Sequence, residues 1–461
     1  MSPVKFEIPL RYKVLLAFLA WGALLLFFFI RYDSYGIQEN AARALMFVWS
    51  IVDGVAHPVV VLGAPDFRAL LFIPIGLMWT GNIAAAKVLS LLVMAASSLL
   101  LYDWADRTLG RESALIGTGL LLVSPLAITQ IDSLGAGPYL LLATGLGFWL
   151  DRTYRAEPRP LGGWYFSQIF LIGLSVSLHP AGLAYPISLA WHWYRNPVDA
   201  RQQRHYYFGI AAMTVFVLLI RTGWSDLPWL ENPIRIFAMM VTGPTSLVST
   251  AGWMTGAIIA AILLFTLFRN PSRTFGNLGG RTLAIGVVLG SLSADFSWAV
   301  LVLAFLLYVG TARIIEIHES IPGEGFLAKR GGVFFLIFVL ATAFMVNNRG
   351  DYEYRKMFPL TEEDKLLAAV AQVARSEQKS HILVASQWPG KTMIACQCDV
   401  LPLPSPAKDP ATQLAMLKGI NYMVFNPRDP KNEILSRNLS VLGAQTETVA
   451  LRGSGVVIRI R

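Results

Sequence analysis

The chain has 461 residues, 55% of them hydrophobic and only 15% charged, with a mean hydropathy of +0.53. That is too little polar matter to cover a soluble core of this length, so a purely soluble protein is excluded. The net charge of +9 comes from basic residues scattered singly between apolar runs, which argues against a nucleic-acid-binding patch.

Lys5, Arg11 and Lys13 precede the apolar run Val14–Ile30. The run is long for a signal peptide and no A-x-A-like cleavage site follows it. It reads as a retained first membrane span with its N-terminus in the cytoplasm. Residues 31–83 are too apolar for a solvated loop. Ile37–Ser50 has helical periodicity, with Gln38, Glu39 and Arg43 polar, and Asp66–Thr80 is apolar but interrupted by Pro74. Both are expected to be helices lying in the membrane interface.

A span needs roughly 20 apolar residues. Further candidates are 84–104, 113–131, 134–150, 164–179, 181–194, 206–221, 248–268, 282–296, 297–312 and 331–346, about eleven in all with the first. The charges support this assignment. Arg107 and Arg111, then Arg152, Arg155 and Arg159, then Arg195, Arg201 and Arg204 fall on alternate loops. So do Arg269, Arg273 and Arg281, and finally Arg313, Lys329 and Arg330. The short turns near 132 and 180 carry no Lys or Arg. Basic residues mark cytoplasmic loops, so 31–83, these turns and the C-terminus are expected outside. The stretch 222–247, with Trp224, Trp229 and Arg235, is a second long outer segment.

Composition changes after Asn348. Thr361–Arg375 reads as an amphipathic helix and Thr412–Lys418 as helical. His381–Ser386, Asn421–Asn426 and Gly455–Ile460 read as strands, and Pro402–Pro410 as a loop. The expected architecture is an α-helical polytopic domain over 1–346, and a small extracytoplasmic α/β domain over 347–461. No phosphate-binding glycine motif is present. Cys396 and Cys398, the two cysteines, are read as small apolar residues, because closure between residues two apart is strained. No spacing suits a zinc site.

Charges near membrane depth are the informative ones. On the outer side these are Asp33, Glu39, Asp132, His179, Arg235 and Asp295. A carboxylate in a polar cleft can take a proton from an incoming hydroxyl or amine. A carboxylate pair can divide acid and base roles or hold a divalent cation, and arginine suits phosphate. Composition and spacing alone leave a transferase, a transporter or flippase, and a non-catalytic membrane assembly subunit open.

Four local features resemble the GT-C membrane glycosyltransferases, nearest the branch of aminoarabinose transferases and protein mannosyltransferases. Asp33-Ser-Tyr-Gly-Ile-Gln-Glu39-Asn-Ala-Ala-Arg43 directly follows span one. Gly63-Ala-Pro-Asp-Phe67 lies between the two interfacial helices. Ala84-Ala-Ala-Lys-Val-Leu-Ser90 leads into span two and is followed by Leu122-Val-Ser-Pro125 and Asp132. Leu178-His-Pro-Ala-Gly182 is the fourth. Ser34 stands where the family usually has a second acid, and Ser293–Trp298 replaces its late Arg-Tyr segment, so the resemblance leaves open a divergent or inactive member. It implies Asp33 as general base or acceptor-orienting acid and Asp132 as the second acid. Glu39, His179 and Arg235 would bind substrate, the last two at the donor phosphate. The donor would be a polyprenyl-phosphate sugar. The acceptor would be a lipid, a glycan or a protein, and the location a bacterial inner membrane with the reaction at its periplasmic face.

Overall fold

The computed structural model describes residues 17, 20–24, 29–31, 36–53, 68–78, 82–156, 161–195, 207, 209–215, 276–291, 298, 301–302, 305–306, 309–310, 342, 346, 349–350, 362–376, 382–443 and 445–461. The chain divides into two compact units. One comprises Met1–Ile30, Lys87–Ile131 and Ala136–Tyr352. The other gathers three distant stretches, Arg31–Ala86, Asp132–Gly135 and Glu353–Arg461.

In the second unit, α1 (Glu39–Asp53) opens on an acid, which suits the positive end of a helix. It buries the small face Ala41, Ala42, Ala44 and Leu45. α2 (Arg68–Met78) packs against it. Pro74 sits inside α2, and Leu77 and Met78 at its end are exposed.

α3 (Ile83–Leu109) runs for 27 residues, about 40 Å at helical rise. It leads into the helical unit, where α4 (Arg111–Val123) and α5 (Pro125–Asp132) follow. The single span expected over 113–131 is two helices bent by 51°. The break lies at Ser124-Pro125. Proline lacks the N–H that would continue the helix, and the Ser124 hydroxyl accepts from the Ala127 N–H at 3.2 Å to restart it. By length and composition, α3 is the one described helix able to cross a membrane alone, and the α4–α5 pair counts as a second if taken as one broken span.

α6 (Gly137–Ala156) approaches α3 closely at Gly145, where an added Cβ would meet Leu100. The Ser97 hydroxyl donates to Pro138 O at 2.8 Å across the same contact. α7 (Leu161–Leu178), a 3-10 turn (Pro180–Leu183) and α8 (Ala184–Arg195) follow. The turn packs on the end of α7, with Gly182 against the Ser175 carbonyl. α9 (Leu278–Ser291) lies along α8. The expected span 248–268 falls outside the described residues, as do all but two residues of 331–346 and parts of 14–30, 206–221, 282–296 and 297–312.

The remaining elements belong to the second unit. They are α10 (Glu362–Ser376), β1 (Leu383–Ser386), α11 (Pro389–Cys396), β2 (Asp399–Pro402), α12 (Pro410–Met416), β3 (Tyr422–Phe425), α13 (Glu433–Val441), β4 (Thr446–Arg452) and β5 (Gly455–Ile460). They form a five-stranded sheet in the order β2-β1-β3-β5-β4. β1 is parallel to β2 and β3, with Ala385 opposite Leu401 and Met423. β3–β5 and β5–β4 are antiparallel. Ala385, Met423, Phe425, Leu435, Leu439 and Val456 form its core.

The cysteine reading is corrected: Cys396 and Cys398 form a disulfide. They do not lie on a strand. Cys396 ends α11, and Gln397 takes the left-handed conformation (φ 54°) as its C-cap, which brings the two Cα atoms to 5.2 Å, inside the bonding range.

Candidate functional site

The second unit is drawn together around the turn Asp132–Gly135. Asp132 is the last residue of α5 and only 2% exposed. Its Oδ1 accepts from the Arg31 N–H at 3.0 Å. The Ser133 carbonyl accepts from the Gln38 N–H at 2.9 Å, and the Leu134 carbonyl accepts from Arg68 Nη1 at 2.5 Å. The exit of the first apolar run, the start of α1 and the start of α2 are therefore each tied to one of three consecutive residues.

The turn is strained. Leu134 has φ 54°, a conformation that costs a side-chain-bearing residue on the order of 1–3 kcal/mol. Arg68, 1% exposed, bonds to that same residue's carbonyl. A guanidinium with so little water access makes a charge-assisted bond that holds the strained turn.

Glu39 lies beside this turn, because its neighbour Gln38 bonds to Ser133, the neighbour of Asp132. Its carboxylate is heavily engaged. Oε1 accepts from the Gly390 N–H at 2.9 Å and Oε2 from the Lys391 N–H at 3.1 Å, and Arg43 Nε lies 2.7 Å from Oε1. Glu39 thus caps the positive N-terminus of α11 across more than three hundred residues of sequence. Gly390 permits the approach, since a Cβ there would meet the backbone of Arg43. Lys391 reaches away to Glu363 at 2.6 Å.

His179 belongs to the helical unit. It is buried and caps the 3-10 turn, its Nδ1 accepting from the Ala181 N–H at 3.1 Å. Asp33 and Arg235 lie outside the described residues, as does Asp295. Among the expected site residues the structure therefore brings Glu39 and Asp132 together and places His179 in the other unit. Among the described residues, no cluster of three His, Cys, Asp or Glu side chains suits a metal ion.

Arg68 and Lys87 are the two cations buried among the described residues, and neither was in the expected set. Each had a sequence signal. A charge near the start of an apolar stretch must be compensated; Arg68 opens α2 and Lys87 is the fifth residue of α3.

No protein-family profile matches the sequence, and no curated protein matches it significantly. Solved structures do. The chain superposes on ArnT from Cupriavidus metallidurans bound to undecaprenyl phosphate with a TM-score of 0.56 at 12% identity, covering 97% of this chain and 98% of that one. The apo state of the same protein gives 0.56 at 11% identity, covering 98% of each. The archaeal oligosaccharyltransferase AglB from Archaeoglobus fulgidus, in complex with an inhibitory peptide and a dolichol-phosphate, gives 0.52 at 11% identity over 90% of this chain and 69% of that one. The chain has the GT-C fold.

Proposed function

We propose that this protein transfers a sugar from a polyprenyl-phosphate-linked donor to a lipid, glycan or protein acceptor at the extracytoplasmic face of a bacterial inner membrane. The observation that carries this reading is the buried Asp132 carboxylate bonded to the backbone of Arg31. Asp33 follows two residues later, and two residues of extended chain span at most roughly 7 Å. In this reading Asp33 shares that neighbourhood with Asp132 and supplies the second carboxylate. Two solved structures of this fold support the donor class, one bound to undecaprenyl phosphate and one in complex with a dolichol-phosphate.

In this reading Asp33 takes the proton of the acceptor hydroxyl or amine as its oxygen or nitrogen attacks the anomeric carbon. The bond from that carbon to the phosphate oxygen breaks, and polyprenyl phosphate leaves with the electron pair. Asp132 orients the acceptor beside Asp33. His179 and Arg235 are assigned to the donor phosphate on the sequence resemblance alone, and a divalent cation between carboxylates would serve the same end. Glu39 acts through α11, as a positioning residue. The hydrophobic tail stays in the bilayer while the sugar meets water, which accounts for the apolar composition.

The test compares the glycolipid and glycoprotein profile of cells with and without this chain. A sugar-bearing species is expected to disappear on deletion and return with the wild-type gene. D33N and D132N should each lower its formation by at least ~100-fold, the usual contribution of a positioned acid or base, at normal protein level. An unchanged glycan profile on deletion would overturn the reading.

A further inference from the structure

A second polar arrangement lies in the helical unit, at the ends of α8 and α9 that join the arginine-bearing loops. A groove of about 830 Å³ is lined by Ile187, Ala190, Trp191, Tyr194, Tyr207 and Ile285, with Arg281 in the first turn of α9. Trp191 is 50% exposed and Tyr194 70%. Arg195, the last residue of α8, sets its guanidinium 5.3 Å from the centre of the Trp191 ring.

The charges here are one-sided. Arg281 Nε donates to Asn277 O at 3.3 Å, Nη2 donates to Gly276 O and approaches His192 Nδ1 at 3.4 Å, and the buried Nη1 has no hydrogen-bond partner among the described residues. Among the described residues neither Arg195 nor Arg281 pairs with a carboxylate. The nearest acid on this network, Asp151, is taken by His192 Nε2 at 3.3 Å and Trp193 Nε1 at 3.2 Å. Burial first, and then the positive charge of Arg195, lower the Arg281 guanidinium from its ordinary value. Two repelling cations at the mouth of an apolar, aromatic groove are relieved by an anion with a hydrophobic body. A soluble anion would gain nothing from the groove wall.

We propose that this groove binds an anionic phospholipid, with Arg195 and Arg281 on its phosphate and Ile187, Trp191 and Ile285 along an acyl chain. A forked guanidinium matches phosphate oxygens. Exposed Trp and Tyr sit at headgroup level, and basic pockets between membrane helices on the cytoplasmic side hold anionic headgroups. Placing the lipid in the cytoplasmic leaflet rests on the orientation read from the arginine loops. The site is separate from the sugar-transfer reading and stands or falls without it.

The test uses the full chain equilibrated with vesicles of equimolar phosphatidylglycerol and phosphatidylcholine, then native mass spectrometry of the retained lipid. Phosphatidylglycerol is expected to be enriched. R195Q and R281Q should each lower that enrichment by roughly five-fold, the effect of one basic residue at a lipid surface. A190W, which fills the groove and keeps both cations, should abolish it. Retention at the bulk lipid ratio, or enrichment unaltered in R195Q, would overturn the proposal. Displacement of the lipid by millimolar inorganic phosphate would mark a soluble-anion site and overturn it equally. R195Q changes an exposed helix-end residue, so it decides the matter if R281Q does not fold. Sugar transfer is not measured, so failure here is distinguishable from failure of the functional reading.

Discussion

The two units differ in where their hydroxyls and turn-fixing polar bonds are spent. In the helical unit many hydroxyls are spent locally. Ser98 donates to Met94 O at 2.9 Å, Thr108 to Trp104 O at 2.6 Å and Thr118 to Ala114 O at 2.6 Å. Each bond stays within one turn of one helix and says nothing about which helix packs beside it. In the unit around Asp132 the polar bonds cross long stretches of sequence: Arg31 to Asp132, Gln38 to Ser133, Arg68 to Leu134, and Gly390 and Lys391 to Glu39. Where apolar area is abundant, packing holds the helices and polar groups need only be satisfied. Where short helices and a turn must be fixed to one another, a few long-range bonds carry the arrangement.

Substitutions test that contrast. The largest stability effect is expected at Arg68. R68A leaves a void and an unpaired Leu134 carbonyl, a loss of roughly 3 kcal/mol. Hydrogen exchange should quicken at Gln38 and at 132–135 while α6 and α7 keep their protection. Equal loosening of both units would break the distinction between them.

E39Q comes next. It weakens two backbone bonds to a carboxylate and removes the partner of Arg43, a loss of about 1.5 kcal/mol. The Gly390 and Lys391 amides should exchange faster, and β3 and β5 should not change.

A smaller effect belongs to Asp409, the N-cap of α12. Its carboxylate is held below the ordinary range by the Thr412 N–H, then by the Thr412 hydroxyl. A depressed folded pKa gives stability that is complete above the unfolded value of about 3.9, and that is lost as pH falls through the lower folded value. The Thr412 amide should lose protection over that acidic window and keep it at neutral pH.

The least is expected within the helical unit. S98A and T118V remove hydroxyls bonded only to their own helix and should change thermal stability by no more than ~0.5 kcal/mol. A loss of 2 kcal/mol or more, on the order of a buried unsatisfied group, would show that those hydroxyls hold neighbouring helices after all.

The apolar runs were legible because composition and period follow directly from the medium a helix lies in. α1 was expected over 37–50 and runs Glu39–Asp53. α2 was expected over 66–80 and runs Arg68–Met78. β5 fell on the expected Gly455–Ile460 because its alternation reflects one buried face. α11, β2, α13 and β4 were not anticipated. Their strands are short or polar: β4, Thr446–Arg452, has no buried residue and is held by pairing with β5. The disulfide escaped because its geometry depends on Gln397 turning left-handed at a helix end, which no spacing reveals.

The candidate site divides in the same way. Asp132 stands out in sequence because an acid between two apolar runs is costly unless it serves a purpose, and Lys87 and Arg68 carry the same signal. The partners are another matter. That Glu39 is spent on capping α11, and that Arg31, Gln38 and Arg68 converge on one strained turn, follow from contacts between residues tens to hundreds of positions apart. Sequence by itself set the expected medium, the expected spans and sidedness of the loops and the candidate charges, since these expectations depend on local composition. Only tertiary structure decided which charges meet and which are already spoken for, because a hydrogen bond depends on ångströms that chain order does not encode.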